Sequence, residues 1–228
     1  MNKVIAAYYQ GDVNFPAGYI DTWGGHLPYI VNQISGPLID IPKLLQDQHP
    51  VTSKLDATAY LTRLASIETV VKQVIEKVNL DAKKGVILPK ALFPNTLGYL
   101  ANFVSPEPEM HGLVTGFAEK LVTIDSLSAE QREKFVEQAA HLIKTSVYPA
   151  YDQVTSVMKS LEQIAPDADG IWAQPGGDKF YQHEILYMAD STLSPEKIHQ
   201  IGLAEVARIS QEMDDILKQQ GLTEGSVG

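Results

Sequence analysis

The sequence predicts an all-α fold, on three observations. Apolar residues recur at three- and four-residue steps over long stretches, the mark of helices that bury one face. Capping residues stand where those patterns begin and end. Period-2 alternation bounded by turn residues is almost missing, so strands are expected to be few or absent.

The elements follow in chain order. Residues 1–36 are rich in Gly, Pro and aromatics (Phe15-Pro16-Ala17-Gly18-Tyr19, then Trp23-Gly24-Gly25-His26-Leu27-Pro28) and read as loops and short turns. A short helix is predicted from about Gly36 to Asp47, ending before His49-Pro50 because the residue before proline is pushed out of helical geometry. From Ser53 the series Tyr60, Leu64, Ile67, Val71, Val74, Ile75 and Val78 marks one buried helical face, with Ser53 as cap and Gly85 as terminator. Pro89 and Pro94 punctuate a shorter helical piece through Phe103, and another follows Pro106-Glu107-Pro108 as far as Val122.

Ser128 and Gln131 have capping-box spacing, and Phe135, Ala139, Leu142 and Ile143 line one face of the helix they open. Pro149 should kink or break that helix, and the pattern resumes with Val154, Val157, Met158, Leu161 and Ile164. Residues 166–177 form a Pro/Gly/Asp loop. A helix pair closes the chain over 178–220. Its second member opens at Ser194-Pro195, runs to Gln220 and has Gly221 for a left-handed C-cap. The expected architecture is one irregular multi-helix array over 1–228, with a loop-rich lead-in, helices over 37–165, the Pro/Gly loop, and the C-terminal pair.

Composition narrows the function classes. Of 228 residues, 44% are hydrophobic and 20% charged, the balance of an ordinary folded domain. Cysteine is absent, which excludes disulfides, thiolate-bound zinc and thiol catalysis. A net charge of −10 without any basic run argues against binding nucleic acid. No apolar stretch reaches the length of a membrane span, and the N-terminal residues are too polar for a signal peptide.

Few residues point to chemistry. His183-Glu184 resembles the start of a zinc-peptidase helix, in which two imidazoles one turn apart hold the metal. Tyr187 occupies the second ligand's position, so His183 reads as a surface or half-buried histidine. Pro175-Gly176-Gly177 reads as a tight loop needing positive φ; the alternative is a ligand drawn to the free N–H groups behind it. On the last helix Ile198, Ile201, Ile209, Met213 and Ile216 form an apolar stripe, extended on one flank by His199, Leu203, Val206 and Leu217. Glu205 and Glu212 edge the other side with Arg208, at the spacing of an ion-pair ladder. His199 reads as a satisfied core histidine; were a partner segment to cover the helix, His199 and Glu205 would be buried titratable groups.

The run Pro175-Gly176-Gly177-Asp178-Lys179-Phe180-Tyr181, the break Ser191-Thr192-Leu193, and the stretch from Ser194-Pro195-Glu196 to Ala207-Arg208-Ile209 resemble a bacterial family. Upstream, Ile34-Ser35-Gly36-Pro37-Leu38, Leu44-Leu45, His49-Pro50, Asp56-Ala57, Tyr60-Leu61-Thr62-Arg63-Leu64, Lys84-Gly85-Val86 and Val147-Tyr148-Pro149-Ala150-Tyr151 extend the resemblance over nearly the whole chain. The family is the "putative lipoprotein" group called domain of unknown function eight-eight-five. Its members are longer, mainly helical, and look like zinc metallopeptidases whose His-Glu…Gly-His helix lies C-terminal to the segment matched here.

The resemblance implies a piece of a larger helical, peptidase-like fold. The parent would be exported to the cell envelope or periplasm and act on peptides with zinc. This chain would hold no cofactor or metal ligand and would be inactive alone. Tyr181, His199 and Glu205 are the candidates for a substrate-side or supporting role. The last helix should then show apolar surface around Val206, Met213 and Leu217, ready for contact with the missing half or for self-association. The rival expectation is a non-catalytic binding or structural module of the envelope.

Overall fold

Ser53 and Asp56 start the longest helix by accepting backbone N–H groups at its N-terminal end. The Ser53 hydroxyl accepts the Asp56 N–H at 3.2 Å, and the Asp56 carboxylate accepts the N–H and hydroxyl of Thr52 at 3.0 and 2.8 Å. These bonds to the charged form, with the Thr52 hydroxyl foremost, hold Asp56 below the usual carboxylate range. In this computed structural model residues 20–22 and 25–225 are described. The expected loops at Phe15-Pro16-Ala17-Gly18-Tyr19 and Trp23-Gly24 lie outside them.

The chain divides into two compact units, Phe15–Pro175 and a second to which Gly176–Gly228 belongs. In the first, a short antiparallel hairpin of β1 (Ile20–Thr22) and β2 (Gly25–Leu27) pairs Ile20 with Leu27 and Asp21 with His26. The helices are α1 (Pro37–Asp47), α2 (Lys54–Lys83), α3 (Phe93–Phe103), α4 (Gly112–Val122), α5 (Ala129–Leu142) and α6 (Tyr148–Glu162). Helix α2 is the centre, packing against α1, α5 and α6. Its predicted face is the one buried: Tyr60, Leu64, Ile67, Val71, Val74 and Val78, with Ile75 only partly covered. Gly85 ends it at φ +85°. The fold is all-α.

Proline shapes two places in the core. Pro42, inside α1, has no N–H to offer the carbonyl of Leu38 four residues back. Two tyrosines take that carbonyl instead: Tyr151 of α6 donates to it at 2.6 Å and Tyr99 of α3 at 3.1 Å. Phe103 stacks on the Tyr151 ring at 4.0 Å. At Pro149, where a break or kink was expected, the chain stays helical. Ile143–Val147 form a π turn, in which the Tyr148 N–H reaches back five residues to Ile143, and α6 begins at once with Pro149 in its first turn. Pro149 has no N–H to give this continuous ladder, and the wider π turn just before it is where the helix accommodates the change.

Two histidines are built into the helix ends. His111 caps α4: its Nδ1 accepts the Leu113 N–H at 3.2 Å, and its ring meets Phe103 edge-on. His49, buried just past α1, faces the Arg63 guanidinium through Nε2 and the Tyr60 ring edge-on at 5.4 Å. Lys120 of α4 donates to the carbonyls of Gln46 and His49 at 2.6 and 2.9 Å, closing the C-terminal end of α1. Tyr60 donates to the Leu113 carbonyl at 2.7 Å and stacks on Phe117.

Candidate functional site

The positions singled out for chemistry lie on the two helices of the second unit, α7 (Gly177–Ala189) and α8 (Pro195–Gln219). Gly176 stands before α7 at φ +74°, so the glycine pair serves the tight turn that its spacing suggested. Asp190 closes α7 in the left-handed region, which aspartate tolerates better than most residues. Gln182 reaches across the break and donates to the Leu193 carbonyl at 3.1 Å.

Helix α8 is terminated at both ends by its own sequence. The Ser194 hydroxyl accepts the Lys197 N–H at 3.2 Å, with Pro195 in the first turn. At the far end Gly221, at φ +84°, donates to the Lys218 carbonyl and Leu222 to the Leu217 carbonyl, both at 3.0 Å. That pair of bonds is a Schellman motif.

Tyr181 is half exposed on α7. His199 is exposed on α8 and is not the core histidine its apolar flank suggested, because no side chain of α8 is buried. Glu205 belongs to the ion-pair ladder that the spacing predicted. Arg208 donates through Nε to Glu205 at 2.9 Å and through Nη1 to Glu212 at 2.7 Å. These two bonds to carboxylates hold the guanidinium pKa above its ordinary value.

Six residues separate His199 from Glu205, which sets them roughly 120° apart around the helix and about 9 Å apart along it. Imidazole and carboxylate therefore sit at opposite edges of the apolar stripe and share no reaction centre on α8. His183 and Glu184 are half-buried neighbours on α7, and Tyr187 stands one turn after His183.

The stripe itself is the notable feature. Val206 is 65% exposed, Ile216 58% and Met213 47%, with Ile201, Leu203 and Ile209 alongside. Leu217 is half-buried. Gly202 sits in the middle of this face, and a Cβ built on it would meet nothing within 4 Å. The role of Gly202 was not read from the sequence, although a glycine inside a long helix, costing about 1 kcal/mol against alanine, is a signal in itself.

Comparison with known proteins places the chain. The family model for bacterial proteins of unknown function, DUF885, matches residues 3–228. The chain belongs to this family. Among solved structures, that of "the putative lipoprotein from Colwellia psychrerythraea" is similar to it, with 43% identity and a TM-score of 0.90. The match covers 96% of this DUF885 chain and 37% of the Colwellia protein, so most of that relative lies outside it. Comparison with the curated proteins finds no match. No helix among the described residues is long and apolar enough to cross a membrane.

Proposed function

We propose that this chain is the helical scaffold portion of an exported, zinc-dependent peptidase-like protein of the cell envelope, supplying a wall and an attachment face rather than the metal. The observation that carries the reading is the family match to a relative whose chain is mostly outside it. The envelope location rests on the relative's description as a lipoprotein. The peptidase and zinc assignments rest on the motif resemblance, with peptides as substrate. Zinc, where bound, supplies an activated water for hydrolysis. On α7 the position one turn after His183 holds Tyr187, so that helix does not present the two-imidazole pair of a zinc-peptidase helix. Tyr181, His199 and Glu205 remain the positions through which the scaffold would touch a substrate.

The test compares the protein at the length of its relative with the 228-residue chain, measuring bound zinc and hydrolysis of a peptide library. The reading expects both in the longer protein and neither in the shorter. A longer protein that holds no zinc and cleaves nothing would end it. A second reading, a non-catalytic binding or structural module of the envelope, is favoured by one observation: Glu205 is held by Arg208 and turned away from His199. Peptide binding by the 228-residue chain, unchanged by a chelator, would support that reading.

A further inference from the structure

Helix α8 is an unusual object for a folded protein. Its 25 residues make a rod about 37 Å long. It is capped at both ends by its own side chains and glycine, yet none of its residues is buried. Most helices gain their stability from packing an apolar face. Here that face is complete and, from Gly202 onward, open, with Ile198 half-buried. Ile198, Val206, Ile209, Met213 and Ile216 lie within roughly 80° of arc, with Gly202 in the same arc. A glycine at the centre of such a face gives up helix propensity and leaves a notch where another backbone can approach closely.

We propose that the Gly202-centred face of α8 is an intramolecular docking surface for the further polypeptide that DUF885 relatives carry outside the part matched here. The occupant is a helical segment whose own apolar ridge seats in the Gly202 notch, with basic side chains beside the Glu205–Glu212 edge. Two observations favour this occupant over a second copy. The Colwellia relative has most of its chain outside the match. The chain carries a net charge of −10, so two copies brought face to face would repel. The inference rests on the scaffold reading above only in requiring a longer protein, and it needs neither zinc nor peptidase activity.

Methionine oxidation footprinting tests it, because the chain carries its own standards. Met158 is buried at 2% exposure, whereas Met110 is 68% exposed, and Met213 lies on the face in question. In the 228-residue chain Met213 should oxidise at a rate close to that of Met110. In the protein at the relative's length it should become as slow as Met158, while Met110 stays fast. In the longer protein Val206→Asp should restore Met213 reactivity. In the 228-residue chain the same substitution falls on an exposed position and should leave the unfolding curve unchanged. Equal reactivity of Met213 in both proteins overturns the proposal. So does protection in the 228-residue chain accompanied by a dimer in light scattering, which would assign the face to a second copy. A longer protein that protects Met213 but binds no zinc refutes the peptidase reading and leaves this inference standing.

Discussion

The side-chain amide of Gln174 makes both hydrogen bonds of a strand-like bridge to the backbone of Ile87: its Nε2 donates to the Ile87 carbonyl at 3.0 Å, and its Oε1 accepts the Ile87 N–H at 3.3 Å. Gln174 is buried and Ile87 half-buried, so these bonds are made with little competition from water. Gln174→Ala should therefore cost about 1–3 kcal/mol, more than the net worth of ordinary hydrogen bonds, because it strands two backbone groups. Urea unfolding measures it. A change within error would show that this loop is held by other contacts.

The shared carbonyl of Leu38 predicts non-additivity. Tyr151→Phe leaves Tyr99 as its donor, and Tyr99→Phe leaves Tyr151, so each alone should cost roughly 1 kcal/mol. Together they leave the carbonyl with no partner, since Pro42 has no N–H to give, and the pair should cost more than the sum. Placing both changes in a Pro42→Ala background, which restores an N–H to α1, should remove the excess. A double-mutant cycle by chemical denaturation reads all three terms.

Stability should fall on acidification below neutral pH. Burial, then the Arg63 guanidinium and Lys120, push the His49 pKa down, with a backbone hydrogen bond at Pro50 and then Asp56 partly opposing them. Burial likewise pushes His111 down, against a backbone hydrogen bond at Phe103. Both rings are thus neutral in the folded chain where the unfolded chain already binds a proton. The unfolded state takes up more protons once pH drops below about 6.5, so stability is complete above that value. It is then lost at up to about 1.4 kcal/mol per pH unit for each ring until the folded-state pKa is reached. His111→Asn keeps an acceptor for the Leu113 N–H and should remove its share of the slope below about pH 6.5. An unchanged slope would acquit His111.

The Glu205–Arg208–Glu212 ladder should contribute little to folding. All three side chains are more than half exposed. Exposed pairs of this kind gain little over their hydrated forms and are screened by salt. Arg208→Ala should leave the thermal midpoint of the 228-residue chain within error at 0.15 M salt. A clear drop that persists in high salt would mean that Arg208 has a role besides the ladder.

Legibility in the sequence followed the range of each interaction. The caps of α2, α5 and α8 lie within four residues of the groups they satisfy, and Ser53, Ser128 and Ser194 act where their spacing said they would. The buried stripe of α2 follows from period alone. By contrast, the bond from Tyr151 to Leu38 spans 113 residues, and nothing local announces it except an odd proline in a helix. His49 and His111 were likewise silent, because a histidine looks the same in sequence whether it caps a helix, faces an arginine or binds a ligand. At the candidate site the stripe and the ladder of α8 were readable, since both are properties of one helix. The exposure of His199 was not, because burial depends on what covers a helix and the period only says which side would be covered.

The π turn before Pro149 also fixes a rotational phase. Ala139, Ile143, Val147 and Tyr151 follow one another at steps of four, and all four are buried. In an ordinary α-helix each such step advances by roughly 40°, so the last would be swung well away from the first. The wider turn at Ile143–Val147 takes up that drift and keeps the Tyr151 hydroxyl aimed at Leu38. Excising Lys144 or Thr145 from it would remove no core side chain and still misdirect Tyr151, so at this joint the number of residues constrains the chain more tightly than their identity.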